Sequence, residues 1–172
     1  MLAMFDASIA PLKRALSNLS HILKKGEAHA DAKVIEHAVL LNARLFPDMY
    51  PLIRQVQIAT DMSKGAAARL AGLEVPKYED NEMTFANLQA RIAKTLAFID
   101  SVTPKQLEGA EARDITITVR KVDLQFTGQT YLFDWVLPNV YFHVATAYNI
   151  LRHNGVELGK PDFLGPRSKP TK

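Results

Sequence analysis

Apolar residues recur along the first part of the chain at alternating steps of three and four. The apolar positions of the first segment are Leu2, Phe5, Ile9, Leu12, Leu16, Leu19 and Leu23. This spacing puts all of them on one side of an α-helix. Two lysines followed by Gly26 are typical of a helix C-terminus. We therefore predict a first helix from about residue 3 to 25, followed by a crossover with a short helical turn.

Two further segments have the same helical period. The second contains Met49, Leu52, Val56, Ala59, Ser63, Ala66 and Leu70, and the third contains Phe85, Leu88, Ile92, Leu96 and Ile99. We predict a second helix from near residues 47–48 to Gly72, because glycine favours a helix end. We predict that the third begins after Thr84 as its N-cap. Thr103 and Gln106 have the spacing of a capping box, which indicates a further short turn.

The period changes to two between residues 113 and 129, where apolar and polar residues alternate. This spacing is typical of β-strands, and the polar pair Arg120-Lys121 divides it into a hairpin. A fourth helix is predicted from at least Pro138 to His153, with residues 131–137 as its first turns. We expect a kink at Pro138, because the residue before a proline is disfavoured in the α conformation. The residues after Gly155 are expected to be irregular.

Four long helices with a small β-hairpin between the third and fourth predict a mainly all-α fold, a four-helix bundle. We expect one domain over residues 1–165 and a flexible basic tail over residues 166–172. The chain has 172 residues and no cysteine, which excludes disulfides and thiolate metal ligands.

Charge and hydropathy bear on whether the protein binds nucleic acid, crosses a membrane or is secreted. The formal net charge of +3 is too small for the basic face of a nucleic-acid-binding protein. No signal peptide and no apolar run of membrane-spanning length is evident. We expect a cytoplasmic protein that does not cross a membrane.

The fourth helix carries the strongest candidate for a site. Asn139 and His143 are one turn apart and are predicted to face the centre of the bundle. Polar groups are costly to bury unless they are paired or used. His143 is therefore a candidate metal ligand or general base. The alternative is a structural histidine, hydrogen-bonded to Asn139 or to a backbone carbonyl.

The second helix supplies polar residues that could meet this pair. Gln55, Gln57 and Thr60 lie on or beside its apolar stripe, and the alternative is ordinary polarity at the edge of the core. We expect ion pairs between the second and third helices from Arg69, Arg91 and Glu82.

Two tyrosines lie on the opposite face of the fourth helix from His143. Tyr141 and Tyr148 are seven residues apart and are predicted to face outward. Aromatic side chains on an outer face favour a second packing surface. We therefore expect a homodimer that uses this face.

Four motifs together resemble the DinB/YfiT-like superfamily of bacterial four-helix bundles, and within it a family classed as a domain of unknown function. They are ARLAG at 68–72, LPNVYFH at 137–143, LRHNG at 151–155 and KPDFLG at 160–165. The resemblance extends over nearly the whole chain. It implies a DinB-like bundle and a bacterial protein.

The resemblance also implies where a metal would lie. Many members of the superfamily hold a divalent metal with three histidines, one on the second helix and two at positions i and i+4 on the fourth, and some use it in thiol-dependent transfer. His143 matches the second position on the fourth helix. Asn139 stands at the first position, and the position on the second helix falls near Gln55. One imidazole with amides binds zinc or nickel poorly.

Three hypotheses follow. The first is a dimeric small-molecule-binding or non-catalytic bundle with a degenerate metal site, in which Asn139, His143, Gln55, Gln57 and Thr60 line a ligand site or form a polar core. The second is a metal-dependent enzyme, a hydrolase or a thiol transferase, that uses His143 with zinc or nickel. The third is a nucleic-acid or stress-response partner, for which slight basicity is the only support.

Overall fold

The computed structural model describes residues 3–166 and consists mainly of α-helices. The elements are α1 (Met4–Lys33), α2 (His37–Asn42), α3 (Leu52–Ala71), α4 (Phe85–Asp100), the 3-10 turns Pro104–Leu107 and Ala110–Ala112, β1 (Asp114–Val119), β2 (Val122–Thr127), α5 (Gly128–Thr130), a π-helix (Tyr131–Val136), α6 (Leu137–His153) and α7 (Lys160–Leu164). The four long helices α1, α3, α4 and α6 form the predicted bundle with a small β-hairpin between α4 and α6.

The core lies where the apolar stripes of the four long helices meet. Helix α3 packs against both α6 and α4, and α1 contacts the same two helices from the other side. Within residues 3–166, most of the predicted inward positions are buried, among them Leu16, Leu70, Leu88 and Ile150, whereas Phe5, Met49 and Leu96 are half-buried. None of the helices in this range combines the length and apolar character that a membrane crossing needs.

Helix α1 is longer than predicted because Gly26 does not end it. The helix continues to Lys33, and Val34 closes it in the left-handed conformation. Gly26 is buried against α6, where a Cβ atom would lie 3.0 Å from a methyl carbon of Leu151. The glycine therefore permits close approach of α1 and α6 and is not a stop signal.

Helix α3 begins at Leu52, four to five residues later than predicted. Tyr50 precedes Pro51, and the proline ring disfavours the α conformation at the preceding residue. Pro51 itself is extended, with ψ of 167°. The C-terminus was predicted correctly, since Gly72 adopts φ of 69° as the cap.

The predicted hairpin is confirmed. Strands β1 and β2 are antiparallel, with Ile115 opposite Phe126 and Ile117 opposite Leu124. Arg120 and Lys121 form the turn, both with positive φ, as a two-residue hairpin turn requires. The side chains of Ile115 and Ile117 are buried, so one face of the hairpin is anchored in the core.

The expected kink at Pro138 is replaced by a widened helical segment. Leu137 keeps α-helical angles, φ −62° and ψ −44°, contrary to the prediction. The π-helix lies directly before it. In a regular α-helix the Pro138 ring would meet the carbonyl group of Asp134. The wider π turns accommodate the proline without breaking the helix.

The segment after Gly155 is more ordered than predicted. Helix α7 lies along α1, held by four α1 side chains at spacings of four, three and four: Arg14, Asn18, His21 and Lys25. Arg14 and Asn18 donate to carbonyl oxygens of α7, and His21 and Lys25 contact the carboxylate of Asp162. The basic tail predicted over residues 166–172 lies outside the described residues except for Pro166.

Helix α7 also changes the interpretation of the tyrosine face of α6. Tyr148 is half-buried, and its ring meets that of Phe163 edge-on at 6.3 Å between centroids. Tyr141 remains exposed. Part of the face predicted to need a partner is therefore covered by this chain itself.

Replacing Asp162 with asparagine is expected to loosen α7 from α1. The backbone N–H of Gly159, followed by His21 and Lys25, lowers the pKa of Asp162 from 3.8 to about 2, although partial burial opposes the shift. A lowered carboxyl pKa stabilises the folded state above the unfolded pKa, and this contribution is lost as the pH falls from about 4 to about 2. We expect faster amide hydrogen exchange in residues 159–164 of Asp162→Asn at pH 7. An exchange rate equal to that of the exposed control Asp48→Asn would contradict this role.

Candidate functional site

His143 forms its hydrogen bond with Gln55 of α3, across the interface between α3 and α6. The Nδ1 atom of His143 lies 2.7 Å from Oε1 of Gln55. Both side chains are buried, with 8 % and 2 % of their surface exposed. The structure thus brings together two of the predicted site residues in a direct contact between helices.

The orientation of the Gln55 amide determines the tautomer of His143. Gln55 donates from Nε2 to the carbonyl oxygen of Tyr50 at 2.9 Å, so its Oε1 faces the imidazole as an acceptor. A neutral imidazole then carries its hydrogen on Nδ1 and a lone pair on Nε2. Among the described residues, no hydrogen-bond partner of Nε2 is found.

The imidazole of His143 is neutral at physiological pH. Burial lowers its pKa from 6.5 to about 4, and the positive charge of Arg54 lowers it further in the same direction. Both effects disfavour the imidazolium ion. His143 is therefore a hydrogen-bond acceptor at Nε2, held in one orientation by Gln55.

Asn139 does not join this pair. Its Nδ2 atom donates to the carbonyl oxygen of Trp135, one turn earlier, at 2.7 Å. A short polar side chain within a helix commonly bonds to the carbonyl four residues back. The expected Asn139–His143 hydrogen bond is thus replaced by two separate ones, and Gln55 is the partner of His143.

Gln57 and Thr60 belong to a different cluster on the other side of α3. Gln57 donates from Nε2 to Glu82 at 2.8 Å and accepts from Arg54. Thr60 accepts from Nε of Arg91 at 2.7 Å. The predicted polar cluster on α3 is therefore divided, with Gln55 facing α6 and the other two facing α4.

Arg91 is the centre of this second cluster. Only 2 % of its side chain is exposed, and it donates four hydrogen bonds. Besides Thr60, the acceptors are Asp61 at 2.8 Å, Glu82 at 2.9 Å and the Glu79 carbonyl at 3.0 Å, and Asp80 forms a further ion pair at 3.1 Å. Three of these lie in the connecting segment, residues 73–84, so Arg91 fixes that segment across α3 and α4.

The predicted ion pairs are confirmed in part. Arg91 pairs with Glu82 as expected. Arg69 does not join them, and donates from Nη1 to the hydroxyl oxygen of Tyr131 at 3.0 Å. The partners Asp61 and Asp80 were missed. The position of Arg91 in the sequence does indicate a buried charge that needs partners, because this charged residue lies next to Leu88 and Ile92 on the apolar stripe of α4.

The side chains at the implied metal positions do not fit a metal centre. Within residues 3–166, no three histidine, aspartate or glutamate side chains come together as a possible metal site. Gln55 is committed to His143 and Tyr50, and Asn139 to Trp135. Amides are poor ligands for zinc, which structural and catalytic sites hold with imidazole, thiolate and carboxylate.

Comparisons with known proteins agree with this architecture. The family described as a domain of unknown function, DUF1993, matches residues 4–164. A crystal structure of a DinB family member protein from Shewanella denitrificans is similar with a TM-score of 0.91 and 40 % sequence identity, over 98 % of this chain and 96 % of that chain. No curated protein matches the chain.

The imidazole of His143 is expected to stay neutral from pH 8 to about pH 5. Since its folded pKa lies below 6.5, the unfolded chain binds a proton that the folded chain does not. Stability therefore falls as the pH drops from 6.5 towards about 4. NMR titration of the His143 ring and urea unfolding across this range measure both effects.

A carboxylate in place of the Gln55 amide is expected to raise the pKa of His143, because a negative charge beside Nδ1 favours the imidazolium ion. The variant Gln55→Glu tests this, with Gln129→Glu, at an exposed position, as the control. A ring that titrates near 6.5 in the unaltered protein, or an unchanged pKa in Gln55→Glu, would contradict the assigned geometry.

Proposed function

The chain belongs to the DUF1993 family and has the DinB-like fold, and from this premise we propose that it is a metal-independent bundle that binds a small organic ligand. The observation that carries the proposal is the 2.7 Å contact between His143 and Gln55. This contact orients the one imidazole that remains at the implied metal positions, and it commits Gln55 to that imidazole.

The donor set argues against a metal centre in this region. A zinc site in a protein has at least three imidazole, thiolate or carboxylate ligands. The implied positions offer a single imidazole, one amide that is bonded on both sides and a second amide that is bonded to its own helix. The proposed function therefore uses no metal.

The protonation of His143 argues against a role as general base. A catalytic base is most effective when its pKa lies near the operating pH. A pKa of about 4 makes the imidazole too weak a base for efficient proton abstraction at pH 7. Binding through a hydrogen-bond acceptor is the chemistry that this group offers.

One observation favours the second candidate, a metal-dependent hydrolase or thiol transferase that uses His143. The Nε2 atom of the neutral imidazole carries a lone pair that no described residue uses, and a metal ligand needs such a lone pair. This enzyme would need further ligands from a substrate or a thiol. The two candidates differ in their metal content.

Protein purified without an affinity tag is expected to contain less than about a tenth of an equivalent of zinc or nickel, because a single imidazole binds these metals weakly. Elemental analysis of the purified protein, and of protein incubated with one equivalent of either metal and desalted, measures this. The matched variants are His143→Ala and His153→Ala, the second at an exposed position. Stoichiometric metal that is lost in His143→Ala and kept in His153→Ala would establish the metalloenzyme instead.

The proposal includes a homodimer that uses the outer face of α6. Tyr141 and Phe142 are adjacent on this helix, with 42 % and 57 % of their surfaces exposed. Exposed neighbouring aromatic side chains are typical of protein interfaces. Because Tyr148 packs against Phe163 of α7, the dimer contact is assigned to the N-terminal half of α6.

A glutamate at position 142 is expected to convert the dimer into a monomer, because it places a charge at the centre of the proposed contact. Sedimentation equilibrium of Phe142→Glu gives the mass. Met83→Glu is the matched control, since Met83 is exposed on the connecting segment. A monomeric mass of the unaltered protein, or a dimer that persists in Phe142→Glu, would refute this contact.

A further inference from the structure

A cavity with mainly apolar walls lies beside the C-terminal half of α3. Its walls come from α3, the connecting segment, β1 and the π-helix, and its volume is about 480 Å³. This is the size of cavity that takes a small organic molecule. Arg69, in its wall, is fourteen residues from Gln55, the partner of His143, which is about 21 Å along the helix.

The cavity contains a guanidinium group without an acidic partner. Within residues 3–166, Arg69 has one hydrogen bond, to Tyr131, and no carboxylate in ion-pair range. The carboxylate of Asp61, which also lines the cavity, is engaged by Lys64 at 2.7 Å and by Arg91 at 2.8 Å. The other donors of Arg69 therefore remain available for an anion.

Tyr131 supplies a second unused donor. Its side chain is 1 % exposed, and its hydroxyl oxygen accepts from Arg69. No acceptor for its own hydrogen is found among the described residues. Burial raises the pKa of Tyr131, although Arg69 opposes the shift, so the phenol keeps its proton at neutral pH. A buried hydroxyl without an acceptor is costly unless a ligand supplies one.

The sequence of α3 is suited to this arrangement. A Cβ atom at Gly65 would lie 2.5 Å from Nη1 of Arg69 and 4.0 Å from the Tyr131 hydroxyl. Glycine within a helix costs about 0.5–1 kcal/mol relative to alanine. The missing side chain leaves room for the guanidinium group next to the phenol.

Flat and apolar side chains form the rest of the walls. Tyr78 and Trp135 provide aromatic surface, and Ile117 and Val119 of β1 provide branched apolar surface. The Tyr78 ring forms a cation–π contact with Lys64, whose Nζ atom lies 3.8 Å from the ring centroid. A ligand in this cavity would meet apolar walls around its body and two donors at one point.

We propose that the cavity binds a small organic carboxylate with an aromatic or branched apolar body, and that Arg69 and the Tyr131 hydroxyl hold its carboxylate group. A guanidinium fork matches the planar geometry of a carboxylate. The inference goes beyond the proposed function, because it names a cavity away from His143 and the class of ligand that this cavity takes.

The single tryptophan of the chain, Trp135, lines the cavity and reports on its occupancy. The experiment titrates the protein at pH 7 with 3-phenylpropionate and 4-methylpentanoate, and with the amide of each acid, following tryptophan fluorescence and heat of binding. We expect saturable binding of at least one acid, at least about tenfold tighter than its amide, because charged hydrogen bonds are lost with the amide. Absence of saturable binding by both acids, or equal binding of acid and amide, would overturn the assignment.

Two variants locate the carboxylate. Arg69→Gln is expected to weaken acid binding about tenfold or more, and Tyr131→Phe to weaken it by a smaller factor. Arg152→Gln, at an exposed arginine of α6, is the matched control and should bind as the unaltered protein does. If a variant fails to fold, the comparison of acid with amide in the unaltered protein still shows whether the protein binds the carboxylate group.

A third variant separates this inference from the proposed function. His143→Ala shows whether the acid binds in the Arg69 cavity or beside His143, and acid binding that is kept in His143→Ala and lost in Arg69→Gln assigns it to the Arg69 cavity. Acid binding that survives Arg69→Gln and is lost in His143→Ala would overturn the Arg69 site and keep a ligand-binding protein. Stoichiometric metal at His143, with acid binding at Arg69 intact, would overturn the metal-independent function and keep the cavity.

Discussion

The burial of the Arg91 guanidinium group is the constraint on which much of the structure depends. A buried charge is tolerated only when it is paired and hydrogen-bonded, and Arg91 has four hydrogen bonds and a further ion pair with Asp80. Breaking one side of such a buried network costs about 3–5 kcal/mol, a large share of the roughly 5–15 kcal/mol by which a domain is stable. The connecting segment, which supplies three of these partners, therefore has little freedom to move away from α3 and α4.

Both regions with functional potential are connected to this network. Asp80 pairs with Arg91 and also with Arg54, whose charge contributes to the low pKa of His143. In the other direction, the fixed segment carries Tyr78, one wall of the cavity at Arg69. A single buried arginine thus fixes the segment that carries both Asp80, the ion-pair partner of Arg54, and Tyr78, a wall of the cavity. The bundle geometry alone positions neither residue.

The sequence predicted those features that arise from periodicity and from local capping. The four helical stripes, the hairpin, the Thr84 cap and the Gly72 end follow from spacing and residue type, and the structure agrees. The errors occurred where a residue serves a distant contact. Gly26 has the local character of a stop but serves the contact with Leu151. The residues Arg14, Asn18, His21 and Lys25 on α1 share a helical spacing from which no partner was predicted, and they bind α7.

The candidate site was predictable in its members but not in its pairings. Periodicity placed His143 and Gln55 on inward faces, yet the choice between Asn139 and Gln55 as the partner depends on side-chain lengths and on how closely α3 and α6 approach. Arg69 and Tyr131, which are 62 residues apart, could not be paired from spacing.

Fold does not determine function, because function depends on sites that a fold carries. The implied metal positions hold amides at Gln55 and Asn139, so the side chains there do not supply the ligand set of a zinc site. At the other end of α3, Gly65 leaves room for the guanidinium group of Arg69 beside the buried hydroxyl of Tyr131. The proposed carboxylate site uses no metal and shares no side chain with the pair of His143 and Gln55, so it does not depend on the residues at the implied metal positions.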